Sequence, residues 1–134
     1  MKKSYIIILV LLVVFIGSTI FGLGKVRTDV VLKDYHVSDD GSEITLKIII
    51  SSSAGYVRKL EQKNDGDNCY IKFYQTLGIN SKIGAKDEYK ININSNISKI
   101  YFMRENNEYQ LVLEKDGDYQ EWMMVNTSDN KILK

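Results

Sequence analysis

The feature that most constrains this chain is an uninterrupted apolar segment near its N-terminus. Ser4–Gly24 contains 21 residues and no charged side chain, and Ile6–Ile16 within it consists only of Ile, Leu, Val and Phe. As a helix rising about 1.5 Å per residue, the segment would be roughly 31 Å long, close to the thickness of a bilayer's hydrocarbon core. A buried helix of a soluble protein would carry a polar stripe, which this segment lacks. We therefore predict that residues 1–25 form an N-terminal membrane anchor, inserted through residues 4–24.

The charges that flank the apolar segment set its expected orientation. Lys2 and Lys3 precede it, and the positive-inside rule places them in the cytoplasm. Lys25 and Arg27 follow it and nearly balance that count, but the amino terminus adds a positive charge in front. The alternative is a cleaved secretory signal with residues 22–24 (Gly-Leu-Gly) as the cleavage site, although signal peptides usually have a shorter apolar region. We expect a single-pass cell-membrane protein with an extracytoplasmic C-terminal domain, or a secreted one if the segment is cleaved.

The composition of the chain excludes several functional classes. The whole chain has 18 Lys+Arg against 17 Asp+Glu, so no basic surplus exists to bind nucleic acid. One cysteine cannot form an internal disulfide framework, and one histidine with one cysteine leaves little material for a triad or a metal cluster. We expect one non-enzymatic domain with no catalytic residue, metal or cofactor.

The residues after the apolar segment alternate with a period of two, which indicates β-strands. In the stretch that ends at Ile50, for example, Ile44, Leu46 and Ile48 point one way and the polar residues between them point the other. About eight such stretches are separated by turn residues, and no helix is predicted after the anchor. This rhythm favours an all-β immunoglobulin-like sandwich of two sheets and about 7–8 strands, with a closed barrel as the alternative. The predicted strands are Val30–Val37, Ile44–Ile50, Tyr56–Lys63, Cys69–Thr76, Tyr89–Ile93, Ile97–Arg104, Tyr109–Leu113 and Tyr119–Val125.

The apolar residues that alternate in phase predict one shared core. They are Ile44, Leu46, Ile48, Ile71, Phe73, Ile91, Ile93, Phe102, Leu111 and Leu113.

Three short stretches carry a resemblance to a known group of proteins. They are Val31–Tyr35 (VLKDY), Ser53–Tyr56 (SAGY) and Asn80–Lys86 (NSKIGAK). With them, residues 30–115 resemble small, N-terminally anchored β proteins of low-GC Gram-positive bacteria, to which no activity is attached. The resemblance implies an extracytoplasmic immunoglobulin-like domain of a bacterial membrane protein.

Two regions are candidates for binding a protein partner at the cell envelope. The longest stretch without strand pattern is Leu77–Asp87, and long connections in compact domains are often functional. The second region is the face of the Cys69–Thr76 strand opposite its core residues, where exposed tyrosines could bind a partner or merely reflect strand propensity. In the loop, the apolar residues could instead fold over the end of the sandwich. The candidate residues are Leu77, Ile79, Lys82, Ile83 and Lys86 in the loop, and Tyr70 and Tyr74 on the strand.

The remaining chemical groups have ordinary structural explanations. We expect His36 to be a surface residue and Cys69 to be a small buried one, with a disulfide between chains as the alternative for the cysteine. Three acidic turns, at Asp39–Asp40, Asp65–Asp67 and Asp116–Asp118, could bind calcium only if they converge, because none has the spacing of a calcium loop.

The sequence therefore predicts a membrane-tethered, extracytoplasmic, non-catalytic binding or assembly module. The alternative is a calcium-dependent module, or one that acts on cell-wall polymers, using the acidic turns.

Overall fold

The computed structural model describes residues 2–21, 23–52, 55–76, 85–126 and 132–133. One α-helix, α1, is followed by strands, with a short 3-10 turn at Glu105–Asn107. The bounds are α1 Lys2–Phe21, β1 Leu23–Arg27, β2 Val30–Val37, β3 Glu43–Ile50, β4 Lys59–Asp65, β5 Asn68–Thr76, β6 Glu88–Asn92, β7 Lys99–Met103, β8 Tyr109–Lys115, β9 Trp122–Met124 and β10 Ile132–Leu133.

The strands form two sheets. The smaller sheet has the antiparallel order β2-β3-β6. In the larger sheet, β4 pairs along one edge of β5. The other edge of β5 is shared by two strands, because β1 pairs with its C-terminal half and β7 with its N-terminal half. β7 pairs with β8, and β8 pairs with β9 and β10. The β5–β7 pair is parallel, and the other pairs are antiparallel.

The core lies between the two sheets. Phe73 of β5 is 1% exposed and contacts Phe102 of β7 edge-to-face at 4.8 Å and Tyr89 of β6 at 5.9 Å, so these aromatic contacts join the sheets. All ten residues predicted for the core are buried. Leu111 is nevertheless outside the main cluster, because it lies on the outer face of the larger sheet.

The prediction of a mostly β domain with two sheets is confirmed, and the strands β2 and β3 lie where the alternation put them. Two strand predictions were inaccurate. The strand expected at Tyr56–Lys63 begins only at Lys59 and runs to Asp65. It extends past Lys63 because the turn before β5 contains only two residues, the first of which, Gly66, has a φ of +60°. The last predicted strand is only Trp122–Met124, since Asp116–Gln120 form a turn.

The described strands also include two that the alternation did not predict, β1 and β10. β1 was not predicted because Leu23 and Gly24 continue the apolar segment of the sequence. In the structure, Leu23 pairs with Thr76 of β5.

Helix α1 exposes its apolar side chains on every side. Residues Tyr5–Ile16 are each between 46% and 69% exposed. Among the residues described, no helix has both the length and the apolar character needed to cross a membrane.

Candidate functional site

Three tyrosines cluster on the outer face of the larger sheet. Tyr70 alternates with the core residues of β5 and lies beside Tyr101, its parallel neighbour in β7. Their rings stack with centroids 5.3 Å apart and 20° between the planes. Tyr109 of β8 meets Tyr70 edge-to-face at 4.8 Å. Both geometries are favourable for aromatic pairs, so the rings hold one another in a fixed arrangement. We call Tyr70, Tyr101 and Tyr109 the tyrosine cluster.

One ring of the tyrosine cluster is buried, and the other two are half-buried. Tyr101 is 5% exposed, whereas Tyr70 and Tyr109 are half-buried and present part of their rings outward. Burial, together with the neighbouring Tyr70, raises the pKa of Tyr101. A surface of this kind is amphipathic and loses little side-chain entropy when a partner binds, because the rings are already ordered.

The sequence predicted Tyr70 and Tyr74 as one site. They are four residues apart on one strand, a separation of about 13 Å. In the structure Tyr74 has a hydrogen-bond partner of its own: it donates a hydrogen bond of 2.9 Å to the carboxylate of Glu61 on β4, which raises the pKa of the tyrosine. Tyr109, which contacts Tyr70, also helps to raise the pKa of Tyr74. Tyr101 and Tyr109 were missed because their proximity to Tyr70 depends on the parallel β5–β7 pairing, which local patterns do not reveal.

Most of the predicted recognition loop lies outside the described residues. This applies to Leu77, Ile79, Lys82 and Ile83. Lys86 is described and exposed, and its backbone N–H donates to the carbonyl oxygen of Val57 at 3.1 Å.

Lys86 also borders an apolar cavity of about 450 Å³. The cavity lies beside the end of β3, and no sequence pattern had indicated it. It is lined by Ile48–Ile50, Gly55–Val57 and Ala85–Asp87.

A partly buried ion pair lies where the chain passes from the larger sheet into the smaller one. Arg27 is 8% exposed, and its guanidinium donates to both carboxylate oxygens of Asp29, to Gln75 and to Ser52. The hydrogen bonds from Arg27 are the main cause that lowers the pKa of Asp29 to about 2. These groups satisfy one another's charge and hydrogen-bonding capacity, which is the arrangement of a structural pair.

The reactive side chains of His36 and Cys69 belong neither to this pair nor to the tyrosine cluster. His36 is exposed on β2, as expected. Cys69 is fully buried, and burial raises the pKa of its thiol to about 12, which is the environment of a structural cysteine. A disulfide between folded chains is incompatible with this buried position.

Two of the three acidic turns use their carboxylates locally, whereas Asp67 in the third accepts a hydrogen bond of 3.4 Å from the hydroxyl of Ser98 and lies 4.0 Å from the ammonium group of Lys99. Asp40 accepts hydrogen bonds from Ser38 and Ser42, and Asp116 accepts from the backbone N–H groups of residues 118 and 119. Within the described ranges, no three His, Cys, Asp or Glu side chains are grouped closely enough to hold a metal ion.

Comparison with known proteins gives no match: no family model, curated protein or solved structure matches the chain.

Proposed function

We propose that this protein is a membrane-tethered, extracytoplasmic and non-catalytic module that binds a protein partner at the cell envelope through the tyrosine cluster. The observation that carries the binding assignment is the stacked arrangement of Tyr70 on Tyr101, with Tyr109 against its edge. Aromatic side chains are enriched in the cores of protein interfaces, and a preordered group of them lowers the entropic cost of association.

The support for the tether is the sequence. The uncharged segment Ser4–Gly24 includes most of α1, and the side chains of Tyr5–Ile16 are each between 46% and 69% exposed. Outside a lipid environment, this continuous apolar surface would be a strong aggregation site. Only Gly22 separates α1 from β1, so the domain would lie directly on the membrane surface.

The immunoglobulin-like class is part of the same proposal. The size of the domain and its two facing sheets support it, whereas the parallel β5–β7 pair departs from the antiparallel order of most neighbours in such domains. The calcium-dependent alternative has less support, because Asp40 and Asp116 already accept hydrogen bonds within their own turns.

Site-specific photocrosslinking in intact cells tests the binding assignment. A photoreactive amino acid at Lys72, which shares the outer face of β5 with Tyr70, should crosslink a discrete protein. The matched control is the same amino acid at Tyr119, a residue 78% exposed in the turn before β9. We expect the Lys72 crosslink to disappear in a Tyr70→Ala background and the Tyr119 position to give none. The same bands from both positions would refute the assignment.

A further inference from the structure

The apolar cavity beside β3 is formed by three segments that backbone hydrogen bonds join. The N–H of Ile48 donates to the carbonyl of Asp87 at 2.8 Å, and the N–H of Lys86 donates to the carbonyl of Val57 at 3.1 Å. The segment at residues 85–87 therefore ties the end of β3 to the chain that leads into β4. These backbone hydrogen bonds hold the three lining segments next to one another.

The lining of this cavity is apolar and reaches the solvent. Ile49 is 47% exposed and Tyr56 is 37% exposed, although both are large apolar side chains beside the opening. Its volume of about 450 Å³ is within the range of about 300–1,000 Å³ that is typical of ligand pockets. The cavity can thus accept an apolar group of substantial size.

The cavity lies at the end of the domain where the chain emerges from α1. Arg58, next to the lining residue Val57, donates its N–H to the carbonyl of Tyr74, which pairs with Val26. Val26 is five residues beyond Phe21, a distance of at most roughly 17 Å along an extended chain. If α1 is in the membrane, the opening is therefore close to the lipid headgroups.

The exposed charges at this end favour an anionic headgroup. Lys86 lines the cavity, and Lys59 at the start of β4 and Lys25 on β1 are exposed at the same end of the domain. The exposed Asp87 also lines the cavity, so these basic side chains outnumber it three to one. The nearby carboxylate of Glu88 is already paired with Lys47, at 3.5 Å. Basic side chains close to a bilayer attract anionic lipids, at about 1 kcal/mol per residue.

Resting on the tether proposed above, we infer that the cavity binds one acyl chain of an anionic phospholipid, with the ammonium group of Lys86 beside the lipid phosphate. The apolar lining would contact the chain, and Lys86 would select the headgroup. This makes the lipid a second ligand, separate from the protein partner at the tyrosine cluster on the outer face of the larger sheet.

The experiment uses the full chain reconstituted in vesicles that contain phosphatidylglycerol with a photoreactive acyl chain. After irradiation, trypsin separates residues 48–58, which contain two of the three lining segments, from residues 91–99, which form hydrogen bonds with Ser42 and Asp67 at the opposite end. We expect crosslinks on α1 and on residues 48–58 but not on residues 91–99. Replacing the probe with photoreactive phosphatidylcholine should lower the crosslinking of residues 48–58 several-fold and leave that of α1 unchanged.

Two variants and one control test the assignment of residues. Ile49→Asn and Lys86→Glu should each lower the crosslinking of residues 48–58 several-fold, whereas Lys63→Glu, an exposed charge reversal farther along β4, should not. Crosslinks on α1 with none on residues 48–58 would overturn the lipid site and leave the tether intact. No crosslinks on either segment would overturn both, and equal labelling by the two lipids would refute the role of the headgroup.

Discussion

The guanidinium of Arg27 donates two hydrogen bonds to the carboxylate of Asp29, at 2.9 and 2.7 Å. Arg27 ends β1 in the larger sheet, and Asp29 precedes β2 in the smaller sheet. Ser51 at the end of β3 donates its backbone N–H to the carbonyl of Asp29, and Arg104 after β7 donates to the carbonyl of Val30. Together these contacts join both sheets at the point where the chain passes from β1 to β2.

Asp29→Asn should destabilise the domain in a pH-dependent way. The pKa of Asp29 is lowered from 3.8 to about 2 in the folded protein, so its contribution is complete above about pH 4 and is lost as the pH falls toward 2. At about 1.4 kcal/mol per pKa unit, the loss at neutral pH should be about 2 kcal/mol. Denaturant unfolding of the wild type and the variant should converge between pH 4 and pH 2. A constant difference would contradict this account, and the exposed control Asp39→Asn should have little effect.

Phe73→Ala should cost about 3–5 kcal/mol of unfolding free energy, because it removes the ring that contacts both Phe102 and Tyr89 and leaves a cavity. The control is Tyr119→Ala at a residue 78% exposed, which should change stability by about 0.5 kcal/mol or less. Thermal unfolding monitored by circular dichroism measures both. Equal melting temperatures for the two variants would show that this core assignment is wrong.

Tyr89→Phe should stabilise the domain. The hydroxyl oxygen of Tyr89 is buried and has no hydrogen-bond partner among the described residues, and burial raises its pKa to about 12. Removing it should gain about 1 kcal/mol and keep the ring contact with Phe73. Tyr74→Phe is the matched control, because it deletes a hydroxyl that does donate, to Glu61, and should give a small loss. A denaturation midpoint for Tyr89→Phe below that for Tyr74→Phe would contradict the expectation.

The thiol of Cys69 should not react with a thiol reagent in the native protein. It is fully buried and its pKa is raised to about 12, so the reactive thiolate is scarce and inaccessible. Labelling followed by mass spectrometry should proceed only at the rate at which the domain opens and should be complete in denaturant. Rapid stoichiometric labelling without denaturant would show that β5 is accessible.

The strands with strict alternation could be predicted from the sequence because each has one face in the core. In β3, Ile44, Leu46 and Ile48 are all buried, and the core position of Phe73 in β5 followed from the same pattern. Trp122, also buried, was not assigned to the core, because its strand is only three residues long and shows no period.

The tyrosine cluster could be predicted only in part. Alternation placed Tyr70 on the outer face of β5, but its neighbours depend on the parallel pairing of Ile71 with Phe102, about thirty residues later in the chain. A register shift between Ile100 and Tyr101 then determines which residues of β8 share that face. Pairings of this kind are set by the packing of the whole domain, which a local pattern does not encode.

The central claim is that the domain lies outside the cytoplasmic membrane and is held there by the apolar helix α1. Protease treatment of intact protoplasts that express the chain with a C-terminal epitope tag tests it most directly, with a cytoplasmic protein as the control. We predict that the protease removes the tag from the membrane-bound protein while the cytoplasmic control stays intact. A tag that remains protected until the protoplasts are lysed would contradict the orientation, and a released protein that begins at Lys25 would contradict the tether.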